Sequence, residues 1–199
     1  MAYTDFTLET VERVLGIVPQ PADLFSAVTP LPVPLWLGEL LTKGMQLSLL
    51  SEKARSEFIV APILLASREL SRDAVSVYSG QRLDVDAEHG LVGECDFILS
   101  ASPPVPILRA PLVTIVEAKK NDVEAGLGQC VAQMAAARRF NQEAGRAVPV
   151  IFGGVTTGEA WQFLRLENAV VLIDRKRYYI DNVGGILAVL QAIIGQVTA

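Results

Sequence analysis

What constrains this chain most is a pair of apolar runs that each carry an acid where a buried strand should have none. The first reads Glu94-Cys95-Asp96-Phe97-Ile98-Leu99 and the second Leu112-Val113-Thr114-Ile115-Val116-Glu117-Ala118-Lys119-Lys120. Between them, Ser100 to Pro111 holds four prolines, which favours a loop. Strand side chains alternate between faces, so Glu117 and Lys119 share one. Consecutive strands usually lie side by side, and an antiparallel pairing brings Asp96 to the Glu117 end. Two carboxylates and one ammonium then meet at the mouth of an apolar sheet. Carboxylate oxygens suit a hard cation such as Mg²⁺, which keeps several waters. A lysine beside them can orient a water or steady phosphate charge.

The elements around these strands follow from periodicity and punctuation. Asp5 to Leu15 reads as a short helix capped by Thr4 or Asp5, with Leu8, Val11 and Leu15 on one stripe. Val18 to Pro34 carries five of the eleven prolines and reads as an extended arm laid over the core or a neighbouring subunit. Leu35 to Leu50 reads as a helix interrupted by Gly44. Ser51 caps a helix from Glu52 to about Arg72, Glu52 sits in its first turn, and Pro62 forces a kink or break. Ala74 to Tyr78 and Arg82 to Asp86 read as a hairpin across Ser79-Gly80. His89, the only histidine, falls in the next turn.

Asp122 caps a helix running to about Ala144, with the stripe Val123, Leu127, Cys130, Val131, Met134. Gln129 and Gln133 are four apart and lie on another flank. Val148 to Val155 is apolar throughout, as in a strand buried on both faces. Glu159 to Leu166 and Ala169 to Asp174 read as a hairpin, and Tyr178 to Ile180 as a short edge. Gly185 to Val197 is an apolar helix that the domain or a second copy must cover.

Asp96, followed by Glu117-Ala118-Lys119, resembles the PD-(D/E)XK nuclease superfamily, the restriction-endonuclease-like fold. The proline of that family's first half-motif is missing; Glu94-Cys95 stands in its place. The resemblance implies an α/β (α+β) fold: one domain over residues 1–199 with an αβββαβ core. Its central mixed sheet is flanked by helices, with extra N-terminal helices and a C-terminal helix. It implies metal-dependent hydrolysis of a phosphodiester, on DNA rather than RNA, with Mg²⁺ as cofactor and Mn²⁺ as substitute. Asp96, Glu117, the carbonyl of Ala118 and, from the first core helix, Glu57 would hold the metal. Lys119 would position the attacking water or stabilise the transition state. The resemblance also places a helix glutamine near that lysine, and Gln133 is favoured over Gln129.

Bulk properties set limits. A chain of 199 residues is long enough for one domain with a real core. No charge-free apolar run reaches the roughly 18 residues of a membrane helix. No basic-then-apolar leader opens the sequence. Two cysteines make neither a disulfide framework nor a zinc site, so a reducing cytoplasm is expected. The net charge of −5 weighs against nucleic acid, although cations cluster at Lys119-Lys120, Arg138-Arg139 and Arg175-Lys176-Arg177. Two alternatives to a nuclease stay open. One is a module of this fold that binds nucleic acid without turnover. The other is an assembly protein joined to partners or to its own copies through the C-terminal helix or the Pro-rich arm.

Overall fold

The run that ends in Glu117 becomes the middle of a sheet. The computed structural model describes residues 1–47 and 50–198. Its strands are β1 (Val18–Ala22), β2 (Ser76–Arg82), β3 (Glu94–Ser100), β4 (Leu112–Ala118), β5 (Val150–Thr156), β6 (Ala160–Glu167) and β7 (Val170–Tyr179). They form one seven-stranded sheet in the order β1-β7-β6-β5-β4-β3-β2. β4 pairs parallel with β5 and β1 parallel with β7, while the other neighbours are antiparallel. All seven residues of β4 are buried, as an apolar strand covered on both faces should be.

Helices cover both faces, which makes this an α/β protein built on a mixed sheet. On one side lie α1 (Leu8–Leu15) and α5 (Glu124–Glu143), packed through Val11, Leu127, Val131 and Met134 against Ile98, Ile115 and Val155. On the other lie α2 (Leu35–Gly44), α4 (Ala61–Leu70) and α6 (Val183–Thr198), packed against Phe97, Val116, Phe152 and Phe163. A single-turn α3 (Glu52–Arg55) leads through a π turn, Ser56–Val60, into α4.

Several local expectations are corrected. Thr7, not Thr4 or Asp5, caps the first helix, accepting from the Thr10 N–H at 3.2 Å. No turn occurs at Ser79-Gly80. β2 runs straight through, with Gly80 in the left-handed region at φ +61°, and the hairpin closes later, where Asp86 bridges Leu91. β7 does not stop at Asp174 but continues to Tyr179, absorbing Arg175 and Lys176 in a register shift opposite β6, with Arg177 paired to Gln162. The long second helix ends at Gly44; the part expected at residues 48 and 49 lies outside the described residues. Pro62, which has no N–H to give, follows the π turn, in which the Ala61 N–H bonds back to the Ser56 carbonyl.

The Pro-rich arm begins as strand β1. Val18, Gln20 and Ala22 alternate with Pro19 and Pro21, so the missing donors fall on the side away from β7. Farther on, the Leu31 N–H bonds to the Gly184 carbonyl at 3.0 Å, laying the arm across α6. The window Ile180–Val197 is long and apolar enough for a membrane span, with mean hydropathy 1.5, yet 56% of it is buried inside the domain. Val183 to Leu190, Ile193 and Ile194 are all sealed in. Arm and helix thus cover each other within one chain.

Candidate active site

Asp96 sits where the sheet opens. On one side its backbone lies opposite Gly80, in the gap between the pairs Ser79–Phe97 and Gln81–Cys95. On the other, regular β3–β4 pairing ends at Phe97–Val116. The Asp96 side chain takes over from there, its Oδ2 accepting the Ala118 N–H at 2.7 Å. The antiparallel register therefore puts Asp96 beside the Glu117 end of β4.

Glu117 is 3% exposed. Its Oε1 accepts from Lys119 Nζ at 2.9 Å and its Oε2 from Gln133 Nε2 at 2.8 Å. Lys119 Nζ also donates to Gln129 Oε1 at 2.8 Å. One turn of α5 thus supplies two amides, one to the acid and one to the base. Lys119 reaches them because Gly126 leaves room. A Cβ at Gly126 would stand 2.5 Å from Val155 Cγ1, 3.0 Å from Lys119 Cγ and 3.2 Å from Lys119 Cε. The Lys119 main chain is fixed too, its N–H donating to the Thr156 carbonyl at 2.7 Å.

Electrostatics sets these acids apart. Burial, and then the charge of Asp96, pushes the Glu117 carboxyl up to about 7, with Lys119 and Gln133 pulling back only part of the way. Asp96 is raised as well, first by burial, with Glu52 and Glu94 adding repulsion against the Ala118 N–H and Lys119. Gln133 Oε1 is buried with no hydrogen-bond partner, an orphaned acceptor on a side chain that already holds Glu117. Cys95 and Cys130 are buried and free, and burial together with Glu117 pushes both thiols up, which leaves them inert.

Of the residues named from sequence, Asp96, Glu117, Lys119 and Gln133 come together, with Ala118 contributing its N–H to Asp96. Glu57 does not join them. Its side chain is 52% exposed and pairs with Lys53 at 3.8 Å. The acid that this helical segment sends toward the cluster is Glu52, whose Oε1 accepts the Lys120 N–H at 3.2 Å and whose charge reaches Asp96. Glu52 opens α3 and Glu57 lies in the π turn, and the two acids face different partners, Glu52 the Lys120 N–H and Glu57 the Lys53 ammonium. Gln129, the glutamine placed second, belongs to the cluster; its four-residue spacing from Gln133 was the signal.

The cationic clusters are largely committed within the chain. Arg175 pairs with Asp23 at 2.8 Å, Arg177 with Glu124 and Arg139 with Asp86. Lys176 Nζ lies 4.8 Å from the Tyr178 ring centre. Searches against protein-family models and against curated proteins return no match for this chain.

Proposed function

We propose that this protein is a metal-dependent phosphodiester hydrolase with the restriction-endonuclease-like core, acting on DNA with Mg²⁺. The observation that carries the reading is Glu117: a sealed carboxylate held up to about 7 beside a second acid. Such a pair gains free energy from an arriving cation. The donor set would fit a hard ion: carboxylate oxygens from Asp96 and Glu117 with the Ala118 carbonyl beside them in sequence, and Gln133, which holds Glu117 and carries an unpartnered Oε1. The chemistry that a bound Mg²⁺ supplies is neutralisation of phosphate charge and acidification of a coordinated water.

The chain's own residues do the rest. Gln133 fixes the Glu117 carboxylate and Gln129 the Lys119 ammonium. Lys119, held 2.9 Å from Glu117, presents its charge to the attacking water or the pentacovalent phosphate. Exposed Lys120, next in sequence, offers a further phosphate contact.

The test is cleavage of single- and double-stranded DNA with Mg²⁺, with Mn²⁺ and with chelator. Cleavage should need metal and fall about a thousand-fold or more in Asp96→Ala and in Lys119→Ala. Metal-free cleavage, or cleavage that survives both substitutions, contradicts the mechanism. One observation favours a second reading, a binding or assembly module without turnover. Lys119 is already satisfied by Glu117 and Gln129. That reading predicts DNA retention with no cleavage under either metal.

A further inference from the structure

A cavity of about 340 Å³ lies far along α5 from the acid cluster, between the end of α1, the turn after β2 and the C-terminal half of α5. That volume is within the range of small-molecule sites. Its walls divide by chemistry. Val14, Leu15, Ile17, Leu91 and Ala135 make an apolar floor, and Arg138, Arg139 and Gln142 stand over it with Asp86 and His89.

The two arginines differ. Arg139 is matched, with Asp86 taking its Nη1 and Glu143 lying 3.5 Å from its Nε. Asp86 also accepts from the His89 N–H at 3.2 Å and sits 2.7 Å from His89 Nδ1, so its charge is spent within the wall. Arg138 has no carboxylate within ion-pair distance among the described residues; its Nη1 donates to the Asn168 carbonyl. Burial lowers its pKa, the mark of a cation that has lost water without gaining a counter-charge. A guanidinium offers five donors in a planar fork suited to a carboxylate, and one bond to a neutral carbonyl leaves most of them for a ligand.

We propose that this cavity binds a small organic carboxylate, its head on Arg138 and its aliphatic body on Val14, Ile17 and Leu91. The site is independent of the acid cluster and of any hydrolytic activity. Gln142, one turn beyond Arg138 on the same face of α5, supplies a second donor to the head.

The probes are hexanoate and its neutral counterpart hexanamide, titrated into the full chain up to about 10 mM and followed by amide correlation spectra. Hexanoate should shift Ile17, Leu91 and Ala135, and hexanamide should need at least about tenfold more for the same shifts. Arg138→Gln should weaken hexanoate about tenfold, whereas Asp96→Asn should leave it unchanged. Equal binding of the two probes, no shift at the floor residues, or retained affinity in Arg138→Gln overturns the proposal. If Arg138→Gln does not fold, the two probes on the unaltered chain decide the matter alone.

Discussion

Glu117 and Asp174 are carboxylates sealed into the same sheet, 3% and 1% exposed, yet their surroundings differ. Asp174 is ringed by donors: Tyr178 Oη at 3.1 Å, the Lys176 N–H at 3.2 Å and the Leu24 N–H at 3.4 Å. It sits in the register shift of β7, where Gln162 also donates to its main-chain carbonyl at 2.9 Å. Asp86 follows the same pattern. Burial pushes its carboxyl up, but the His89 bonds and the Arg139 charge overcome this and hold it below the usual range. Glu117 also has donors, Lys119 and Gln133, but burial and the second acid beside it keep it raised. The acid that stays raised lies where the sheet opens, the kind of place where shifted carboxylates concentrate.

Substitutions can break or sharpen this contrast. Asp174→Ala strands several buried donors and should cost about 4 kcal/mol in denaturant unfolding, at about 1–3 kcal/mol for each stranded group. A loss under about 1 kcal/mol would mean that Asp174 is not the structural hub described. Glu117→Gln should do the reverse. The carboxyl titrates at 4.5 in its ordinary state and at about 7 in the fold. Between those values the folded chain keeps a proton that the unfolded chain has released, so rising pH favours unfolding. The contribution of Glu117 is fully present below pH 4.5 and declines toward pH 7 by up to about 3 kcal/mol. Glu117→Gln removes that decline, so it should match the parent at pH 4 and exceed it at pH 8. Parallel profiles would show that Glu117 is not strained.

Gly126→Ala forces a methyl toward Val155 and Lys119 and should cost about 2 kcal/mol. It should also weaken the hold of Lys119 on Glu117, so its stability-versus-pH profile should fall more steeply than the parent's. An unchanged profile would remove Gly126 as the residue that seats Lys119. The smallest effect belongs to Glu57→Ala. Losing an exposed pair with Lys53 should change stability by less than about 0.5 kcal/mol and leave any metal response intact.

The acids Asp96 and Glu117 were legible because a charge in an alternating apolar run has no ordinary explanation, and the antiparallel register followed from adjacency. The choice between Glu52 and Glu57 was not legible. It depends on helix phase, and the π turn at Ser56–Val60 is a tertiary compromise around Pro62. Gly80 suggests a turn because glycine permits left-handed φ, but the same freedom also serves a strand with a gap in its ladder. In β1 the density of prolines hid their spacing: placed at every second residue, they leave one edge of a strand intact. Asp174 looked like a strand end because buried acids are rare, and only the long-range donors from Leu24 and Tyr178 make it tolerable inside one.

The central claim is that Asp96 and Glu117 together form a cation site. Anomalous scattering from crystals soaked in Mn²⁺ tests it most directly. The account predicts a manganese peak bonded to oxygens of both side chains, with Lys119 Nζ turned from Glu117 toward solvent. An empty map at that position, with the Lys119–Glu117 pair undisturbed, would contradict it.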